Sequence, residues 1–116
     1  TLNPDFMTDD RWREVVDKVK AQFQVRDEGR REIEDIPRAF AEYIIFETPQ
    51  GEIKLERVTS PVVLDKKTIY SKLAGSASRV EYTYSDTEMF SKLRVFKWVE
   101  SRDEWEEMRG GQSFSL

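Results

Sequence analysis

The chain has 116 residues, a length for one domain, with 19 basic and 23 acidic side chains and a net charge of −4. It contains neither cysteine nor histidine, which excludes disulfide frameworks, Cys/His zinc sites, thiol nucleophiles and every His-based triad or general base. Five glycines and four prolines exclude a collagen or linker composition, and no apolar run approaches the roughly 20 residues that span a bilayer.

Residues 1–7 read as an N-terminal extension, with Met7 a candidate natural start. Thr1–Asp10 carries neither the basic n-region nor the apolar h-region of a secretory signal, and the expectation is a cytoplasmic protein. Thr8 then suits a helix N-cap, and Asp9 and Asp10 suit the positive end of the helix dipole. Met7 and Trp12 have the spacing of a hydrophobic staple. Trp12, Val15, Val16, Val19 and Phe23 form one apolar stripe of 3.6-residue period, opposite Arg13, Glu14, Asp17, Lys18 and Lys20. The spacing predicts an amphipathic helix ending near Gln24.

Arg26–Arg38 alternates opposite charges and reads as a solvated connector, pinned to the core by Ile33 and Ile36. From Ala39 the period changes to 2. Ala39–Glu47 and Glu52–Val58 read as a hairpin around the Thr48-Pro49-Gln50-Gly51 turn. Thr59-Ser60-Pro61 reads as a break and Val62–Tyr70 as a third strand. Ser71–Ser78 reads as a loop and Arg79–Ser85 as a fourth strand. Ser85-Asp86-Thr87-Glu88 is a turn signal, followed by a long strand over Met89–Glu100. Ser85-x-x-Glu88 is also a capping box, and Met89, Leu93 and Phe96 have helical spacing. Against that helix, Arg94–Val99 is dense in β-formers, which favours the strand. A turn at Ser101–Glu104 leads to a short strand, Trp105–Met108, and 110–116 reads as a tail. The expected fold is α+β: one N-terminal amphipathic helix on a curved antiparallel meander of five to six strands, a single domain over 8–109.

One helix covers one sheet face, yet both faces of the strands carry apolar groups. Phe40, Ile44 and Phe46 oppose Tyr43 and Ile45; Leu93, Val95 and Val99 oppose Arg94, Phe96 and Trp98. Three readings follow: a sheet that curls into a half-barrel and buries the second face, a half-barrel that holds a small apolar ligand, or a face that meets a protein partner or a second copy. Tyr43, Arg94, Phe96 and Trp98 are the candidate interaction anchors, because Tyr, Trp and Arg dominate interface energetics. A nucleic-acid reading places Arg79, Lys92, Arg94 and Lys97 on phosphates beside exposed rings, but Glu81, Glu88 and Glu100 are interspersed and repel phosphate. The acidic end around Trp105 reads as a solvated turn and edge strand, with a basic partner as its functional alternative. No P-loop, GxGxxG, EF-hand or HExxH pattern occurs. The expectation is therefore a non-enzymatic protein-interaction module with no catalytic residues, no metal, no cofactor and no membrane contact.

Overall fold

The computed structural model describes residues 6–69 and 79–108. Helix α1 (Asp9–Gln22) begins where expected: the Thr8 side chain accepts from the Arg11 amide at 3.3 Å. The staple partners Met7 and Trp12 are both buried. The helix stops at Phe23, whose backbone turns extended while its amide donates to the Val19 carbonyl. Residue by residue, the buried stripe holds the helix to the sheet. Each fully buried apolar side chain contributes about 1.5–3 kcal/mol.

Five antiparallel strands follow in a meander, with spatial order equal to chain order: β1 (Gln24–Glu32), β2 (Phe40–Thr48), β3 (Gly51–Ile69), β4 (Arg79–Val99) and β5 (Glu104–Glu107). In register, Ile44, Leu55 and Val95 form one row across β2, β3 and β4. With Phe46, Ile53, Trp12 and Val19 they make the core under α1. The α+β meander expected from the sequence is thus the fold found. The sheet is open: β1 and β5 are its edges and do not pair with each other.

Several local expectations are corrected. The charged connector is largely strand β1, paired with β2 from Gln24↔Glu47 to Glu32↔Phe40. Its side chains are almost all exposed, so no apolar period marks it. The backbone ladder of β2 makes it a strand, and its dense charge suits an edge that must not recruit other chains. Thr59-Ser60-Pro61 does not break the chain, because β3 runs straight through it. The first residue of β2, Phe40, lies opposite Thr59, so from Pro61 onward β3 has a neighbour on one side only, where proline is tolerated. The Pro49-Gln50 turn does form, with Gly51 at φ 117°, a conformation costly for any residue with a Cβ.

Ser85–Glu88 likewise does not reverse the chain. Pro61 faces Met89 and Val63 faces Tyr84, so residues 85–88 lie opposite Val62 alone and form a wide bulge in one continuous strand. The turn chemistry is real but local: the Ser85 hydroxyl accepts from the Thr87 and Glu88 amides at 3.2 and 2.8 Å. Arg38 donates to the Ser85 and Asp86 carbonyls, tying the bulge to the β1–β2 loop. The alternative helix from Asp86 does not form, and β4 continues to Val99. Two pairs of predicted strands are therefore single long strands. The predicted Ser71–Ser78 loop and the 110–116 tail lie outside the described residues.

Beyond the Phe40↔Thr59 pair, β3 and β4 continue alone as a two-stranded arm to Ile69 and Arg79. The molecule accordingly measures 57 × 37 × 26 Å, with a radius of gyration of 17.6 Å, against roughly 13–14 Å for a compact chain of this length. At the base of the arm, the Met7 amide donates to the Ser91 carbonyl and Phe6 bridges Lys92. No helix among the described residues is long and apolar enough to cross a membrane.

Candidate functional site

The sheet face turned away from α1 collects the interaction anchors expected from the sequence. In register, Tyr43 stands beside Glu56 and Glu56 beside Arg94. Phe96 lies opposite Lys54 and Trp98 opposite Trp105. Pairing alternates sides every residue, so Tyr43, Arg94, Phe96 and Trp98 share this face. All four are half-buried although no helix or strand among the described residues lies over them.

Their own neighbours provide that partial cover. Trp98 and Trp105 meet edge-to-face across the β4–β5 hairpin, ring centres 5.3 Å apart. The Lys54 ammonium sits 4.6 Å from the Phe96 ring centre and 5.0 Å from that of Trp105. Cation–π contacts of this kind are worth about 0.5–1 kcal/mol at exposed sites. Tyr43 lies over Gly29: a Cβ there would come 2.8 Å from the phenol oxygen. Glycine therefore makes room for the ring, and the ring covers the backbone that glycine leaves bare.

A row of alternating charges crosses the same face. Arg31 of β1 reaches over β2, where its register partner is the small Ala41, to Glu56 of β3 at 3.0 Å. Glu56 is buried, with its side chain 3% exposed. Arg94 stands next to it on β4 and makes a two-pronged contact with Glu107 of β5, at 3.2 and 2.7 Å. That hydrogen bond outweighs desolvation and holds the Glu107 carboxyl below the usual glutamate range, while Glu107 raises Arg94 further. A lowered folded value means that the pair stabilises the fold above the ordinary carboxylate range, and that this contribution disappears as pH falls through the lowered value. Glu107→Gln is therefore expected to lower Tm slightly near neutral pH, since exposed pairs are worth about 0.2–1 kcal/mol, and to match wild type in strongly acidic buffer. A Tm difference that persists in acid would place the effect in packing instead.

Sequence reasoning missed Trp105, Lys54, Arg31 and Glu56 as members of this face. For Trp105 the signal was present, since it and Trp98 lie equally far from the Glu100–Asp103 turn and a hairpin must set them opposite. For Arg31 and Glu56 there was none, because they meet by reaching past β2. The phosphate-binding set fares differently. Lys92 and Arg94 share the open face, but Lys97 points to the other side, opposite Ile53 and Glu106. Arg79 lies at the far end of β4 beside Glu81. The structure thus does not bring these four cations together.

No protein family, characterised protein or solved structure matches this chain.

A concavity of about 810 Å³ lies not on the open face but on the helix side, between the start of α1 and the β3–β4 pair. Met7, Phe40 and Met89 supply apolar wall, and Arg57 with Thr59 and Ser91 supply a polar floor. Arg57 is buried and engages Asp9, Glu42 and the Ser91 hydroxyl. Its hydrogen bond holds the Asp9 carboxyl below the ordinary aspartate range. Such a buried arginine with two carboxylate partners ties α1 to the sheet. Among the described residues no group of three or more acidic side chains is arranged to hold a metal ion.

Proposed function

We propose that this chain is a non-enzymatic interaction module that binds a protein partner, or a second copy of itself, through the open sheet face. The observation that carries the reading is the combination, on one face that no described element covers, of two tryptophans in contact, a phenylalanine under a lysine, a tyrosine and a bidentate arginine–glutamate pair. Interfaces concentrate their binding energy in Trp, Tyr and Arg, held rigid and ringed by polar groups. These rings are preorganised by their cross-strand contacts, so little side-chain entropy remains to be lost on docking. The open edges contribute less, because β1 is densely charged and β5 is short.

A photo-crosslinking residue at Phe96 is expected to give protein adducts, whether to another chain or to a second copy, and one at Glu14 on the solvent side of α1 is expected to give none. In the same background Trp98→Ala is expected to weaken association by about 2 kcal/mol, the scale of an interface hot spot. Its circular dichroism should stay native, since Trp98 packs on an edge hairpin and not in the core under α1. If Trp98→Ala unfolds the domain, or if Glu14 crosslinks as well as Phe96, the open face is not the binding surface.

A further inference from the structure

The concavity on the helix side joins an apolar wall that solvent can reach to a polar floor that it scarcely reaches. Phe6 and Phe90 meet edge-to-face in its wall, ring centres 6.1 Å apart. Phe6 and Met89 remain 41% and 39% exposed, so the wall is open to entry from water. The volume of about 810 Å³ lies within the roughly 300–1,000 Å³ of small-molecule sites.

The floor holds more donors than acceptors. The Arg57 side chain is 8% exposed. Its Nη2 donates to Asp9 and to the Ser91 hydroxyl, while its Nε is buried without a hydrogen-bond partner. Thr59 and Ser91 share one hydrogen bond, 2.7 Å between their hydroxyl oxygens. Two hydroxyls bring two protons and that bond uses one; the other has no acceptor among the described residues. Buried donors are as a rule paired, and an unmet one costs about 1–3 kcal/mol. What the floor lacks is an acceptor and not a charge. Arg11 and Arg57 against Asp9 and Glu42 leave the site electrically neutral, and the two carboxylates already beside Arg57 would repel an anion brought to it.

We infer that this cavity binds an uncharged small molecule with an apolar, ring-sized body and a carbonyl oxygen. The body lies against the Phe6–Phe90 pair, Phe40 and Met89, where the unbranched methionine adapts to its outline. The oxygen accepts the spare proton of the Thr59–Ser91 hydroxyl pair. Arg57 adds a second hydrogen bond by a turn of its guanidinium, which Asp9, 77% exposed, accompanies without leaving water. The site faces α1, on the side of the sheet opposite the proposed interaction surface, and neither reading depends on the other.

The test is methyl NMR of the full chain, labelled at its methionines and titrated with three probes of one skeleton. Benzylacetone carries a ketone, butylbenzene lacks the oxygen, and hydrocinnamate is the carboxylate counterpart. Met7 and Met89 line the cavity and Met108 does not, so benzylacetone is expected to shift the first two signals saturably and to leave the third in place. Butylbenzene is expected to bind about fivefold more weakly, the net worth of one hydrogen bond, and hydrocinnamate at least as weakly, because its charge must be stripped of water beside two carboxylates. Thr59→Val with Ser91→Ala is expected to bring the ketone down toward butylbenzene while butylbenzene itself binds as before, which shows that the cavity is still formed. Absence of saturable shifts overturns the site, and equal shifts at all three methionines overturn its location. Butylbenzene binding as tightly as the ketone reduces the cavity to an apolar hollow and overturns the role of its floor. Hydrocinnamate binding more tightly than the ketone overturns the uncharged class of ligand. A ketone advantage that survives the loss of both hydroxyls overturns that pair as the anchor.

Discussion

Phe46→Ala is expected to cost about 3–5 kcal/mol of folding stability, the range for removing a fully buried aromatic side chain. Among the described residues Phe46 is the largest fully buried side chain. It packs against Phe23 at 5.1 Å between ring centres and stands opposite Ile53 on β3. The cavity left by alanine would lie between α1 and the sheet, where β1 and β3 hold the β2 backbone by ladders on both sides and relaxation is limited. Domains of this size have only about 5–15 kcal/mol in total, so the variant should sit near the edge of folding. Ile45→Ala is the control. Ile45 is the next residue, points to the open face and is half-buried, so it should cost less than half as much. Urea titrations with a common slope would measure both. Equal losses would mean that the two faces are packed alike and that the open face is already covered.

This contrast follows from a period of 2, which is why the core was legible. Alternation along Ala39–Glu47, Glu52–Val58 and Arg94–Val99 assigns residues to faces, and the 3.6 period of Trp12–Phe23 assigns the helix stripe. Where side chains carry no alternation the sequence is silent. β1 is a strand because β2 offers it a ladder, and its charged side chains record only that it is an edge. Pro61 and Ser85–Glu88 mislead for the opposite reason. Their local chemistry is that of turns, but the paired neighbour strand carries the chain through. A proline on a one-sided stretch and a serine-capped bulge both cost less than giving up the rest of the β3–β4 ladder.

The open face was half legible. Parity placed Tyr43, Arg94, Phe96 and Trp98 together, because each is read within its own strand. What parity cannot supply is register between strands distant in sequence, and the cross-sheet charge row depends on that register. Arg31 and Glu56 are 25 residues apart and meet only because β1, β2 and β3 are stacked in that order. The arm was hidden for a related reason. A break at Pro61 and a reversal at Ser85 divide its two strands into four pieces, none of which is expected to project from a sheet.

Arg31→Leu is expected to be more costly than its surface position suggests, and more costly than the double change Arg31→Leu with Glu56→Leu. Arg31 is 53% exposed but its partner Glu56 is only 3% exposed. Removing the guanidinium leaves a carboxylate in a nearly dry position with Arg94 as its remaining neighbour, and Arg94 is already engaged by Glu107. Stripping the partner from a buried charge costs about 3–5 kcal/mol in full burial. Solvent around Arg31 and the nearness of Arg94 reduce that here to about 2 kcal/mol. Replacing Glu56 as well removes the group that needed a partner, and a leucine there would pack among Tyr43, Ala41 and Val58. The double variant should therefore recover at least half of the loss, a coupling that a double-mutant cycle in urea reads directly. If Glu56→Leu alone costs more than Arg31→Leu, the carboxylate is a net stabiliser and the charge row holds the sheet together. If the order is as expected, the row is a net stability cost that a better-packed apolar pair would remove.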